Sequence, residues 1–225
     1  MALNLFYDFT KQRNFMTHQF PSLYAAHPWH GVSLGDDAPQ LVYVYIEIVP
    51  TDTLKFEIDK QTGLLKVDRP QKYSNICPQP YGFLPQTYSG DAIAKRAQMA
   101  TGKTIASGDG DPIDICVLTE RPIPRGGLLL EAKPIGGLCF LDKGEADDKL
   151  VAVLKGDVFD SYKDLSDCPK NLIDRLEHYF LTYKTMPQDN HQNPCELIER
   201  YGRETAFEVI RLGQQDYQKK FSSNE

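Results

Sequence analysis

The sequence predicts a mainly β protein with flanking α-helices, built as a small barrel with helices covering one side. Two patterns predict this class. Short β-prone runs separated by Asp, Gly and Pro turn signals fill residues 41–154, and the apolar period becomes helical after Pro169. Antiparallel strands at such spacing are typical of small barrels. Because 225 residues can bury one good core, we expect a single domain over residues 1–225.

Residues 1–40 mix proline, glycine and aromatic side chains, and we expect an ordered arm packed over the core. The predicted strands follow as LVYVYIEIVP from Leu41, LKFEID, GLLKVDRP, PIDICVL, LLLEAKPI, GLCFLD and KLVAVL. Residues 89–108 are small and polar, which predicts a loop insertion between strands, either a lid or a surface decoration.

Two helices are predicted within residues 169–220. Apolar side chains recur at helical spacing behind Pro169, at Leu172, Leu176, Tyr179, Phe180 and Tyr183. A second helix is predicted after Pro194, from about Cys195 through Tyr217. Together the two would cover one side of the barrel.

Composition and charge exclude several classes of protein. The net charge of −6 and the absence of a basic run argue against a nucleic-acid partner. The apolar stretches are far shorter than the roughly 20 residues that cross a bilayer, so no membrane partner is expected. The N-terminus lacks the features of a secretory signal, which predicts a cytoplasmic protein. Five scattered cysteines without a CxxC pair predict reduced, mostly buried thiols.

The segment GDGDPID concentrates three carboxylates, Asp109, Asp111 and Asp114, within six residues. At an effective dielectric constant of about 20, two like charges about 4 Å apart repel by about 4 kcal/mol, so a cation should lie among them. Hard oxygen ligands suit Mg²⁺, Mn²⁺ or Ca²⁺ better than zinc. A solvated acidic turn is the alternative interpretation. An EF-hand is disfavoured because Asp114 stands where that motif requires glycine.

A second acidic segment, DKGEADDK, contains Asp142, Glu145, Asp147, Asp148 and Lys149. Alone it indicates an exposed charged turn, but together with the first segment it could hold several metal ions. Polar residues also interrupt the apolar alternation of the predicted strands, at Glu47, Lys55, Glu57 and Arg69. These side chains either project into one mouth of the barrel or are ordinary outward-facing strand residues.

Taken together, these segments resemble the family I soluble inorganic pyrophosphatases. VYIEI, LKFEIDKQTGLLKVDR, PYGF, GDGDPIDICV and the Asp142 to Lys149 segment occur in that family's order, over roughly residues 41–184. The resemblance implies a five-stranded OB-like barrel with α+β decorations and an active site at its mouth. It also implies hydrolysis of pyrophosphate to two phosphates by metal-activated water, several Mg²⁺ ions per site with Mn²⁺ as an alternative, and a homo-oligomer.

The resemblance further implies roles for individual residues. Asp111 would be the catalytic base, and Tyr81 would lie near the nucleophilic water. The implied metal ligands are Asp109, Asp114, Asp142, Asp147 and, through water, Glu47. The implied phosphate-binding residues are Lys55, Arg69, Lys149, Tyr183 and Lys184, with Glu57 paired to nearby basic groups.

One position departs from the family pattern. Cys77 stands where bacterial relatives carry a phosphate-binding tyrosine before a proline. Because a thiol is a weak hydrogen-bond donor, we expect weaker phosphate binding unless Tyr73 or the insertion compensates.

Two other functions remain open at this point. One is hydrolysis of a larger phosphoanhydride such as a nucleoside triphosphate, although the sequence shows no base-stacking pocket. The other is a non-catalytic OB-type module that binds metal or nucleic acid. Stacking aromatics on a basic groove would favour such a module, and the charge balance does not.

Overall fold

A computed structural model describes residues 26–184 and 195–221 of the chain. The strands are β1 Val42–Ile48, β2 Leu54–Ile58, β3 Leu65–Pro70, β4 Tyr81–Phe83, β5 Ser107–Gly108, β6 Asp114–Leu118, β7 Leu128–Asp142, β8 Glu145–Leu154 and β9 Cys195–Gly202. The helices are α1 Asp91–Thr101, α2 Lys170–Thr182 and α3 Arg203–Phe221. Two short 3₁₀ helices, Val158–Ser161 and Leu165–Asp167, lie between β8 and α2.

Five strands close into a ring, in the order β8-β6-β4-β1-β7 and back to β8. The predicted five-stranded barrel is therefore confirmed. β5 and β9 extend this sheet beside β8 and β7. The expectation that all strands run antiparallel is wrong for β6 and β8, which pair in parallel. Because β7 intervenes between them in sequence, β8 returns alongside β6 in the same direction.

Strand β7 is longer than the sequence pattern predicts. The runs LLLEAKPI and GLCFLD form one strand of 15 residues, with a bulge in its pairing to β8 between Pro134 and Gly136. Proline cannot donate a ladder hydrogen bond and is tolerated at a bulge, so Pro134 bends the strand without ending it. The long strand can therefore pair with β1 and β9 along one edge and with β8 along the other.

Strands β2 and β3 form a separate hairpin outside the ring. The sequence pattern alone predicts that both runs are barrel strands, and the structure corrects that expectation. Their burial pattern explains the difference, because Ile58 is the one fully buried residue of β2, and β3 has none. A hairpin with so little buried surface lies against the barrel and exposes its polar side chains.

The prediction of a loop over residues 89–108 is wrong at Asp91–Thr101, which forms α1. The N–H groups at its start are bound by a residue distant in sequence. The carboxylate of Asp216 accepts hydrogen bonds from the N–H groups of Gly90, Ala92 and Ile93 at 3.1, 2.9 and 3.3 Å. An N-terminal carboxylate of this kind stabilises a helix. Because Asp216 lies on α3, far away in the sequence, no local sequence signal predicts the start of α1.

The first C-terminal helix is confirmed as α2, which begins directly after Pro169. The prediction of the second helix is partly wrong, because residues 195–202 form β9 and the helix begins only at Arg203. β9 pairs with the free edge of β7 from Gly136 to Asp142 and satisfies its backbone groups. Pro194, which precedes the predicted helix, and residues 1–25 of the predicted arm lie outside the described residues.

The core has two main parts. One lies between the barrel and helices α1 and α3, and the other lies between the barrel and α2. Four cysteines are buried and Cys195 is half-buried, and the five form no disulfide. Among the described residues, no helix is both long and apolar enough to cross a membrane.

Candidate active site

Three carboxylates from separate parts of the chain meet at one mouth of the barrel. Asp109 lies in the loop before β6, Asp114 begins β6, and Asp147 lies on β8. Each contributes a carboxylate oxygen, and these oxygens lie within 4.8 Å of one another. The parallel pairing of β6 with β8 places Asp114 beside Lys149, which brings the two strand carboxylates to the same end of the sheet.

The loop that carries Asp109 and Asp111 is held by hydrogen bonds from outside the barrel. The N–H of Ser89 donates to the carbonyl oxygen of Asp111 at 2.8 Å, and the N–H of Gly110 donates to the carbonyl of Ser89 at 3.0 Å. The N–H of Asp111 donates to the carboxylate of Asp109 at 3.1 Å. Gly110 has a φ of +76°, a conformation that favours glycine. This turn directs both side chains toward the cavity.

Lysine ammonium groups lie among these carboxylates. Lys149 is buried and contacts both Asp114 and Asp147, and it lies 3.4 Å from the hydroxyl of Tyr81. Lys184, at the end of α2, contacts Asp142. These pairs partly compensate the repulsion between the carboxylates.

The β2–β3 hairpin supplies a further set of charges to the cavity. Lys55 forms ion pairs with Glu57 at 3.0 Å and with Asp68 at 2.8 Å. The predicted pairing of Glu57 with basic groups is observed here. The guanidinium of Arg69 lies over the ring of Tyr183, 5.6 Å from its centre. Lys60, which follows the hairpin's first strand, contacts the carboxylate of Asp111 across the cavity.

Burial and neighbouring charge raise the pKa values of three acidic groups of the site, Glu47, Asp109 and Asp114. Burial raises the pKa of Glu47 to about 8, although the N–H of Ile58 donates to its carboxylate at 2.7 Å. Burial and the charge of Asp147 raise the pKa of Asp109 well above its usual range, and burial also raises that of Asp114. Desolvation and a nearby like charge both favour the neutral form of a carboxyl group.

The basic and phenolic groups keep their protons. Burial opposes the charge of Lys149, but Asp114 and Asp147 outweigh it and raise the pKa of that lysine. Burial raises the pKa of Tyr81 well above its usual range, so its hydroxyl remains a donor at neutral pH. Perturbed groups that converge in one cleft are characteristic of functional sites.

The structure brings all thirteen predicted site residues to one cavity of about 360 Å³. They are Glu47, Lys55, Glu57, Arg69, Tyr81, Asp109, Asp111, Asp114, Asp142, Asp147, Lys149, Tyr183 and Lys184. Asp148, from the second acidic segment, is buried and does not line the cavity. In that segment Asp142 ends β7, Lys143 and Gly144 form the turn, and β8 begins at Glu145, so the interpretation as an exposed charged turn is wrong beyond Glu145.

Sequence reasoning missed three charged residues that line the cavity, Lys60, Asp68 and Lys143. Lys60 and Lys143 lie in turns, where strand alternation carries no information about side-chain direction. Asp68 lies on β3, and its ion pair with Lys55 could have been found from the antiparallel pairing of the two hairpin strands.

Cys77 does not line the cavity. Its side chain is fully buried, and its thiol donates to the carbonyl oxygen of Gln79 at 3.2 Å. Tyr73, the expected substitute, is exposed and also lies outside the cavity lining. Neither residue is placed to bind phosphate in this conformation, and weaker phosphate binding stays a prediction.

The model of the inorganic pyrophosphatase family matches residues 44–218. The inorganic pyrophosphatase of Chlamydia caviae is 52% identical over 205 residues, covering 89% of this chain and 95% of the relative. The chain belongs to the inorganic pyrophosphatase family. The resemblance found in the sequence is thereby confirmed.

More distant members of the family agree with this assignment. Soluble inorganic pyrophosphatase 1 of Arabidopsis thaliana is 33% identical, covering 86% of this chain and 81% of the relative. The crystal structure of inorganic pyrophosphatase from Thermus thermophilus superimposes with a TM-score of 0.71 at 27% identity, covering 86% of this chain and 99% of that one. The shared fold includes the barrel whose mouth holds the carboxylates.

Proposed function

We propose that this chain hydrolyses inorganic pyrophosphate to two orthophosphates with Mg²⁺ as its cofactor. Family membership supports the reaction. The observation that carries the proposal is the convergence of Asp109, Asp114 and Asp147 on one point of a cavity that basic side chains also line. An acidic shell beside cationic groups suits a substrate that is itself a polyanion and arrives with divalent cations.

The donor atoms present fit a hard divalent cation. The cluster offers carboxylate oxygens alone, which suit Mg²⁺ or Mn²⁺ better than zinc. Nearby, the Oδ1 atom of Asp142 is buried and has no hydrogen-bond partner among the described residues. Asp109, Asp114 and Asp147 would hold one cation, with Asp142 and Glu47 as ligands for others. Bound cations neutralise phosphate charge and lower the pKa of water.

Asp111 is the proposed general base. Its side chain is 44% exposed at the cavity, and its neighbours Asp109 and Asp114 belong to the cation cluster. Tyr81 keeps its phenolic proton and can donate a hydrogen bond to an attacking water or to a phosphate oxygen. General-base assistance of this kind contributes about 10²- to 10⁴-fold to a rate.

The basic residues are proposed to bind the two phosphates. Lys149 pairs with Asp114 and Asp147 of the cation cluster, and Lys184 pairs with Asp142, another proposed cation ligand. Divalent cations would therefore release both ammonium groups for phosphate oxygens. Lys55, Arg69 and Tyr183 line the same cavity. Stabilisation of the leaving phosphate by such charges is the main work of a phosphoryl-transfer site.

The test is phosphate release from pyrophosphate with and without Mg²⁺. Asp111→Asn should lower kcat about 10²- to 10⁴-fold without loss of the fold. The control is Asp36→Asn, at an exposed carboxylate outside the cavity, which should retain full activity. Activity that survives chelation of all divalent cations would overturn the proposal, and Mg²⁺ binding without any hydrolysis would favour a non-catalytic module.

Three further features are proposed. We propose a single domain, since the helices of the described residues pack against one closed barrel. We propose a homo-oligomer, for which the resemblance is the support, and a cytoplasmic location, for which relatives named soluble inorganic pyrophosphatases are the support. Sedimentation velocity and cell fractionation test the last two.

A further inference from the structure

A polar cluster lies behind strand β8, formed by the buried residues Arg96, Asp148 and Tyr201 and the half-buried Glu199, and is called here the Arg96 cluster. Arg96 of α1 donates to the carboxylate of Glu199 and places its other terminal nitrogen 3.6 Å from Asp148. The hydroxyl of Tyr201 donates to Asp148 at 2.7 Å. The guanidinium also lies over the Tyr201 ring, 4.7 Å from its centre. The cluster thus joins α1, β8 and β9.

Asp148 lies between two residues of the active site. Successive side chains of a strand point to opposite faces, so Asp147 and Lys149 face the cavity and Asp148 faces away from it. Its side chain is completely buried, and that of Arg96 is 7% exposed. The strand segment that carries a cation ligand is therefore held from behind by a charged group on α1.

The segment that contains α1 also holds the other acidic element. Immediately before the helix, Ser89 donates its N–H to the carbonyl of Asp111 and accepts from the N–H of Gly110. The start of the helix is in turn fastened to Asp216 of α3. One continuous segment, from Ser89 through α1, thereby contacts both carboxylate-bearing parts of the site, the loop before β6 and strand β8.

Stability alone does not explain the cluster. Replacing a buried ion pair by apolar side chains of similar volume is often neutral or stabilising, because desolvation offsets the attraction. Here the hydrogen bonding of the buried charged groups is incomplete, since Nη1 of Arg96 and Oδ2 of Asp148 have no hydrogen-bond partner among the described residues. What the cluster supplies is a fixed orientation for β8, since charged groups tolerate displacement poorly.

We propose that residues 89–108 position the cation-binding carboxylates from behind, with Arg96 as the positioning residue for β8. This inference rests on the proposed function, because it concerns the cations of that site. Groups that orient metal ligands without touching the metal affect affinity by about 10- to 100-fold when removed. Arg96 acts on Asp147 through Asp148, and affinity for Mg²⁺ is the property that it controls.

The test is Mg²⁺ binding measured by titration calorimetry on the full chain. Arg96→Met should weaken Mg²⁺ binding about 10-fold or more. Arg96→Lys, which keeps the charge, should recover part of the affinity. The matched control is Arg200→Met, which breaks the ion pairs of an exposed arginine on β9 with Asp174 and Glu177 and should leave the affinity unchanged.

Circular dichroism establishes that each variant is folded. If Arg96→Met does not fold, Tyr201→Phe decides, since it removes only the hydroxyl that bonds to Asp148 and should still weaken Mg²⁺ binding. Wild-type affinity in a folded Arg96→Met, or in Tyr201→Phe where that variant decides, would overturn the inference and leave the proposed function intact. A wild-type chain that binds no Mg²⁺ would overturn both.

Discussion

At the residue scale, the site brings together acidic groups, and burial favours the protonated forms of three of them. Glu47, Asp109 and Asp114 all have raised pKa values, for which burial is the largest cause. A cation that occupied the cluster would reverse this preference, because it favours the charged carboxylates. The metal-free protein should therefore respond to pH differently from the loaded one.

Glu47→Gln should change how the metal-free protein responds to pH. The folded-state pKa of Glu47 is about 8, above the unfolded value, so its stabilising contribution is present at acidic pH and is lost as pH rises through about 8. Glutamine carries no charge at any pH and keeps the acceptor for Ile58. The melting temperature of the variant, relative to wild type, should therefore rise between pH 5 and pH 9 in the presence of a chelator.

The comparison isolates one carboxyl group, because Asp109 and Asp114 are the same in both proteins. Glu208→Gln, at an exposed glutamate of α3, is the matched control and should show no such trend. An equal difference in melting temperature at both pH values for Glu47→Gln would show that Glu47 is not buried as a neutral acid.

Most of the residues that line the cavity could be predicted from the sequence, and Lys60 could not. The thirteen site residues were predicted because their motifs occur together in one family, and the structure brings them all to one cavity. Lys60 was missed because its contact with Asp111 spans 51 residues and starts from a turn. Neither hydrophobic periodicity nor a local charge pattern can predict a contact between residues so far apart in the sequence.

At the element scale, the short strand β4 has a large structural role. Its three residues pair with both β1 and β6 and thereby close the ring. β4 also begins with Tyr81, so its position decides where that hydroxyl lies in the cavity. The pairing is unusually close at Gly82, where an added Cβ would lie 1.9 Å from the carbonyl oxygen of Tyr45.

Gly82→Ala should therefore destabilise the protein severely, by more than about 4 kcal/mol, because backbone atoms on the facing strand cannot move aside. The matched control is Gly102→Ala at the end of α1. There φ is +67°, and beyond its own helix and chain neighbours no atom of the described residues lies within 4 Å of an added Cβ, so alanine should cost about 1 kcal/mol. Urea unfolding of both variants measures the difference, and similar free energies of unfolding would contradict the close approach at Gly82.

At the scale of the whole molecule, folding assembles the proposed cation site, since its three carboxylates come from a loop and two strands. Asp109 and Asp147 are 38 residues apart in the chain and are adjacent only when β6 and β8 pair. A ligand that binds only the folded state stabilises it by mass action. Cation binding and folding are therefore linked.

Mg²⁺ at about 100 times its dissociation constant should stabilise the protein by about 2.7 kcal/mol. For a chain of this size the melting temperature should rise by about 5 to 10 °C. Asp114→Asn removes one of the three carboxylates of the cluster and should lose most of this increase. Differential scanning calorimetry with and without Mg²⁺ checks the outcome, and an equal increase in wild type and variant would place the stabilising cation elsewhere.

The sequence by itself predicted most of the residues that line the cavity and much of the framework. Carboxylates crowded into GDGDPID predict a cation, strand-like runs in the family's order predict a five-stranded barrel, and apolar spacing after Pro169 predicts α2. The first and last of these signals are local, because they depend on side chains a few residues apart, and the second depends on the order of short motifs along the chain. Tertiary structure alone decided that residues 91–101 are helical, that residues 195–202 are a strand, and that Asp148 faces away from the cavity. The physical reason is that their partners are distant in sequence: Asp216 binds the start of α1, the edge of β7 recruits β9, and Arg96 meets Asp148 only in the folded chain.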